Sequence, residues 1–260
     1  MSNNFKSSSS ILFAQIKLSV WHIAFHGLAT PFLVLLFFAY IARAMIISQG
    51  IPCVGDYVDS VNNSIFINLL WTPLSVTLIM MTCEQRHTAN YLLRIHKRKA
   101  VIANQFTTSL IVAAVFSLYL AGTAFVVGGL FTPVAINWSD YSSCFYSSKS
   151  YILDISLFRV IMITALKSFL SLMLYSSIAI ALSLILKKVF CFLIIFVLSF
   201  INIFKLLYQA ICSLSGLTGI EEVYMNTPSK IVYFIIFPLI AALAVIIALK
   251  LIKRKDFLNA

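Results

Sequence analysis

Apolar positions along this chain come in continuous blocks, with neither the strict alternation of half-buried strands nor the one-sided stripes of surface helices. Six blocks approach or exceed the roughly 20 residues that carry a helix across a bilayer. They run over Leu28–Ser48, Ile65–Thr82, Val101–Leu130, Val160–Leu186, Val189–Gly216 and Ile231–Leu249. A membrane barrel would instead show segments of about ten residues alternating in polarity. The pattern predicts an all-α polytopic membrane protein with six transmembrane helices, joined by short loops except at 131–159.

Ahead of the first block, Leu12, Ile16, Val20 and Ile23 share one helical face, while Gln15, Lys17 and His22 fall largely elsewhere. This predicts an N-terminal amphipathic interfacial helix, although the same residues also fit a simple extension of the first span. The opening "MSNNFKSSSS" has no cleavage signature, so the first span is expected to stay in the mature chain. Residues 1–27 therefore form a terminal segment with the interfacial helix, and residues 28–260 form the membrane domain.

Composition agrees with the pattern: 61% of residues are hydrophobic and 10% charged, against roughly a quarter charged in soluble domains. The net charge of +11 has a topological explanation. With both termini inside, the inner segments hold Lys6, Lys17, Arg86, Arg94, Lys97, Arg98, Lys99, Lys187, Lys188, Lys250, Lys253, Arg254 and Lys255, which are 13 of the 19 Lys and Arg residues. The outer loops hold only Lys149 and Lys230, with Arg159 at a span edge, and collect Asp56, Asp59, Asp140, Asp154, Glu221 and Glu222. The positive-inside rule then gives an N-in, C-in orientation and removes the main argument for nucleic-acid binding.

The chemistry of most membrane enzymes is missing. No Asp or Glu falls within the six blocks, which argues against intramembrane aspartyl proteolysis and against a proton relay built on carboxylates. Neither H-E-x-x-H nor a G-x-x-x-x-G-K-[ST] phosphate loop is present, so any ATP must be split by another polypeptide. The five cysteines form no C-x-x-C pair. His22 and His26, spaced i, i+4, lack a third ligand nearby and read as interfacial anchors, so no metal site is expected. Cys53 and Cys144 both fall in outer loops, where a disulfide stands against two free thiols.

Cations within or beside the apolar blocks are the candidates for a substrate path. Arg43 and Arg159 lie close enough to the outer face to snorkel, and Lys167, about two turns deeper, is at the limit of doing so. Lys205 lies past the middle of the fifth block and shares a helix face with Asn202. Arg43, Lys167, Asn202 and Lys205 therefore read either as residues of a path or as structural residues. The runs "GTAFVVGG" and "SSIAIALS" allow close helix packing.

The segment 83–100 interrupts the apolar pattern with Arg86, His87, Arg94, His96, Lys97, Arg98 and Lys99, and contains neither Gly nor Pro, so it is helix-compatible throughout. Its sequence "CEQRHTANYLLRIHKRKAVIANQF" resembles the first cytoplasmic loop of the type-two ABC exporter permeases. In that family an acidic residue, Gly-Thr, a Leu-rich turn, a Pro-x-Arg element and a Lys follow one another; here Glu84, Thr88, Leu92, Leu93 and Arg98 fill similar places. His87 stands where Gly is usual, no proline follows, and Asn104 occupies roughly the place of the lysine. Six spans, the long outer loop after the third and the basic ending "IIALKLIKRKDFLNA" are similar to that family across nearly the whole chain.

The resemblance implies a coupling helix, with Glu84, Arg86, Thr88, Leu92, Leu93, Arg94 and Arg98 docking on an ATP-binding cassette ATPase subunit. It implies ATP and magnesium in that partner, no cofactor on this chain, and pairing with a second copy or a sister permease in a bacterial cell membrane. Size and short loops are also similar to permeases that give immunity to lantibiotics and other peptide antibiotics. The implied function is export of a hydrophobic or amphipathic substrate by alternating access, without enzymatic activity in this chain. The competing readings are a non-transport membrane protein, such as a sensor or assembly factor, and an ion-coupled transporter.

Overall fold

A computed structural model of the chain describes residues 50–60, 98–203 and 232–252, together with Thr72, Pro73, Val76, Thr77 and Met80, all five helical. The described elements are α1 (Val54–Ser60), α2 (Arg98–Phe131), α3 (Cys144–Lys149), α4 (Leu157–Ser183), α5 (Lys188–Ile203), a π-helical turn (Val232–Ile236) and α6 (Phe237–Leu251). Among the described residues there is no strand, only an isolated parallel bridge between Ile51 and Ser143. Three helices are long and apolar enough to cross a membrane, within Lys99–Phe131, Leu157–Ser183 and Phe234–Leu251; Val189–Ser199 is a shorter apolar helix. The first predicted block and the interfacial segment lie outside the described residues.

The helix α2 has 34 residues, or about 50 Å at 1.5 Å per residue, well over the thickness of a hydrocarbon core. It stops where Pro133 disfavours helical geometry at the residue before it. Its polar residues do not break it, because their hydroxyls turn back onto their own helix. Thr107 donates to the Ala103 carbonyl at 2.9 Å, Thr108 to Asn104 at 2.9 Å, Ser117 to Ala114 at 2.9 Å and Thr123 to Tyr119 at 2.7 Å. Such bonds let hydroxyls sit in apolar surroundings without an unsatisfied donor.

The sixth block was expected as one unbroken helix, but it opens with the π turn. Pro238, in the first turn of α6, offers no N–H to the carbonyl four residues earlier, and the ladder widens just ahead of it.

The helix α4 is the hub, packed against α1, α2, α5 and α6. At one end, Cys53, Val54, Tyr57 and Val58 join Phe116, Leu120, Trp138, Phe145, Val160 and Leu172 in a buried cluster. At the opposite end, Val101, Ile102 and Val112 meet Ile180, Leu184, Ala248 and Ile252. In a third cluster, Val76 and Met80 pack with Tyr175, Ala179, Cys191 and Ile195. The outside is as apolar as the inside: Leu118, Val126 and Leu130 of α2, Val189, Phe190 and Leu193 of α5, and Leu239, Leu243 and Ile247 of α6 are all exposed. A surface this greasy on several helices suits lipid, not water.

Candidate functional site

Two polar assemblies interrupt the apolar packing. The first caps one end of the bundle. Residues 132–156, read as a long loop, fold over α1 and lock onto it by backbone bonds: Val54 N–H to the Val134 carbonyl at 2.9 Å, Gly55 N–H to Ala135 at 3.2 Å, Ile51 N–H to Ser142 at 2.9 Å and Cys144 N–H to Ile51 at 3.2 Å. Side chains tighten the joint. The Thr132 hydroxyl donates to the Pro52 carbonyl at 3.0 Å, and Asn137 Nδ2 donates to the Ile51 carbonyl at 2.8 Å. The short helix α3 is capped at both ends, by Ser143 Oγ accepting from the Tyr146 N–H and by Ser150 in the left-handed conformation.

At the centre of the cap Asp56 is buried. Its carboxylate accepts from the Cys53 backbone N–H at 2.9 Å and from the Trp138 indole Nε1 at 2.6 Å. The bond to Cys53 is half of a capping box, with the third helical residue reaching back to the N–H of the residue just before α1. Burial pushes the Asp56 carboxyl above the ordinary aspartate range, against the lowering effect of the Cys53 N–H, the Trp138 indole and the Cys53 thiol. The Cys53 thiol is itself pushed up to about 12, by burial first and then by the Asp56 charge. Tyr57 is raised by burial and by the charge of Asp56. Trp138 stacks on Phe145 with ring centroids 4.5 Å apart, and Phe145 meets Tyr151 edge-on at 5.4 Å. Cys53 and Cys144 are both buried and both free thiols, so the structure carries no disulfide between them.

The second assembly lies inside the bundle on α4. Lys167 is 3% exposed, ten residues into a 27-residue helix. Thr164, Ser168 and Ser171, at −3, +1 and +4 from it, are buried with it. These spacings gather the four side chains on one sector of the helix. Sequence alone left room for Lys167 to snorkel along a free surface; the structure encloses it in protein. None of α2, α4, α5 or α6 contains an Asp or Glu.

The other predicted site residues divide by position. Arg98 opens α2 and Asn202 lies in the last turn of α5. Arg43, Lys205, Glu84, Arg86, Thr88, Leu92, Leu93 and Arg94 lie outside the described residues. Among the described residues no group of three His, Cys, Asp or Glu is placed to hold a metal ion. The Asp56–Trp138 pair was not anticipated, since Asp56 read only as an acid of an outer loop. The available signal was a tryptophan in a segment of mixed polarity outside the apolar blocks, because a buried indole N–H needs an acceptor.

No known protein family, curated protein or solved structure matches the chain.

Proposed function

We propose that this chain is the membrane-spanning permease subunit of an ATP-driven exporter, working with a separate ATPase and a second permease copy or sister permease. One observation carries this reading: the ordered series Glu84, Thr88, Leu92, Leu93 and Arg98 on a stretch without helix breakers, between two apolar blocks. Positive charge alone would hold such a loop inside the cell. It would not require an acid, a threonine and a leucine pair in this order. The architecture supports the reading in one respect. Arg98 opens a helix that runs unbroken for 34 residues to the cap, so a displacement at the ATPase end would be conveyed along a stiff rod to the far end of the bundle.

In this mechanism both termini are inside and the cap formed by α1 and residues 132–156 is outside. ATP binding in the partner moves the coupling helix, α2 tilts, and the interface between two permease subunits switches its opening from one side of the membrane to the other. The substrate is hydrophobic or amphipathic, of the peptide-antibiotic, drug or lipid kind, and passes along residues that include Lys167, Asn202 and Lys205.

The first test is whether the adjacent reading frame encodes a phosphate-loop ATPase; the second is co-expression with that ATPase, purification of the complex and measurement of ATP hydrolysis. Glu84→Ala and the double change Leu92→Asp/Leu93→Asp should lower the complex's yield or its hydrolysis severalfold. A complex that survives the double change with unaltered activity would remove the coupling assignment.

A further inference from the structure

We infer that the end of the bundle opposite the cap carries a docking surface for the headgroups of anionic phospholipids, formed by Lys99, Lys187 and Lys250 where α2, α4 and α6 meet. The surface is independent of the exporter reading, since it needs neither an ATPase nor a second permease.

Three helices in mutual contact bring these lysines to one level. The buried cluster at this end joins Val101 and Ile102 of α2, Ile180 of α4 and Leu184 just after it, and Ala248 of α6 with Ile252 just after it. Lys99 lies two residues before Val101, Lys187 three residues after Leu184, and Lys250 between Ala248 and Ile252, so each is within one helical turn of the same cluster. All three are exposed. Helix axes in contact stand about 8 to 10 Å apart, and the long lysine stem carries its ammonium out along an apolar surface. The three charges therefore act on one headgroup or on two adjacent ones.

Among the described residues no acid stands at this end. Asp56, Asp59, Asp140 and Asp154 all belong to the cap, and α2, α4, α5 and α6 contain no Asp or Glu. The surface beside the lysines is apolar: Ile185, Val189 and Phe190 flank Lys187, Ile246 and Ile247 precede Lys250, and all five are exposed. Ammonium groups over exposed aliphatic and aromatic side chains match a phosphate headgroup above its own acyl chains. A free phosphate or an acidic protein surface would use the charges and leave the apolar side chains unmatched. With the N-in, C-in orientation expected from the charge distribution, these lysines lie at the inner leaflet.

The experiment releases the full chain from nanodiscs of equal phosphatidylglycerol and phosphatidylcholine and counts the retained lipids by native mass spectrometry. The wild type should retain phosphatidylglycerol over phosphatidylcholine by about fivefold or more, the ratio that a single engaged lysine supplies. Lys99→Gln/Lys187→Gln/Lys250→Gln should lose at least half of that preference, and the corresponding triple change to arginine should keep it. Lys6→Gln/Lys17→Gln, which removes two cations elsewhere, should leave it unchanged, and excess inorganic phosphate should displace no lipid. Unfolding midpoints in pure phosphatidylcholine show whether each variant is folded; if the triple glutamine variant is not, the three single changes are read in its place, each lowering the ratio. Equal retention of the two lipids by the wild type, glutamine variants that keep the full preference, or a control double variant that loses as much would overturn the assignment. Displacement by inorganic phosphate would also overturn it, since the occupant would then be a free anion and not a lipid.

Discussion

The Trp138 indole Nε1 lies 2.6 Å from Asp56 Oδ1, a bond between residues 82 positions apart that joins α1 to the segment following α2. Both side chains are buried, so the bond replaces water that neither group can reach. Leaving a buried partner unsatisfied costs about 1 to 3 kcal/mol. Trp138→Phe and Asp56→Ala should each destabilise the cap by that order. The double variant should cost less than the sum, because each single change orphans the other residue's group. Additive losses in a denaturant titration of the detergent-solubilised protein would show that the two side chains do not act together.

Asp56 also sets a direction for pH dependence. Its folded carboxyl titrates above its ordinary value because burial penalises the charged form. The folded state therefore holds the proton more tightly than the unfolded chain does. This contribution to stability is fully present below the unfolded value of 3.8 and is lost as pH rises through the folded one. Asp56→Asn, which cannot ionise, should flatten this part of the stability profile from pH 3.8 upward. A profile unchanged by the substitution would mean that Asp56 ionises as freely in the fold as in the unfolded chain.

Cys53 should be chemically silent. With its thiol pushed up to about 12 and its side chain buried, almost no thiolate is present at pH 8, and the thiolate is the reactive form. Iodoacetamide should leave Cys53 unmodified in the folded protein and alkylate it once the chain is unfolded in dodecyl sulfate. Peptide mass spectrometry distinguishes the two, and rapid labelling in the folded state would contradict the buried position. Cys144 and Cys191, also buried and free, should follow the same pattern.

Gly128 seats α1 on α2. A Cβ built there would stand 3.0 Å from Tyr57 Cβ and 3.2 Å from Val54 Cγ1, whereas one at Gly122 meets nothing within 4 Å. Gly128→Val should displace α1 and destabilise the protein by about 1 to 3 kcal/mol. Gly122→Ala should be neutral, or stabilising by up to about 1 kcal/mol, since alanine is the better helix former. Thermal unfolding of the two variants side by side provides the comparison; equal effects would mean that the close approach at Gly128 carries no constraint.

The helices were legible in the sequence to different degrees. The third and fourth apolar blocks became α2 and α4 with shifts of only a few residues, α2 ending two residues before Pro133. The sixth became α6, with a π turn that the hydropathy pattern did not resolve, because hydropathy measures composition and not the phase of the hydrogen-bond ladder. Residues 131–159 read as a loop because polar and apolar residues mix there without a period. Their order comes from long-range bonds such as Thr132 to Pro52, 80 positions away.

Sequence by itself determined that this chain builds long apolar helices, because each must satisfy its own backbone polar groups within one continuous stretch. It also marked Lys167, with Arg43, Arg159 and Lys205, as a cation within or beside an apolar block, and read it as at the limit of snorkelling. Only the tertiary structure decided where the polar groups go. Asp56 and Lys167 lie at positions that one dimension reads as a solvated loop and a snorkelling edge, yet both are buried. Burial depends on which distant segments fold over a residue, and that depends on pairings between residues tens of positions apart, which no local pattern records.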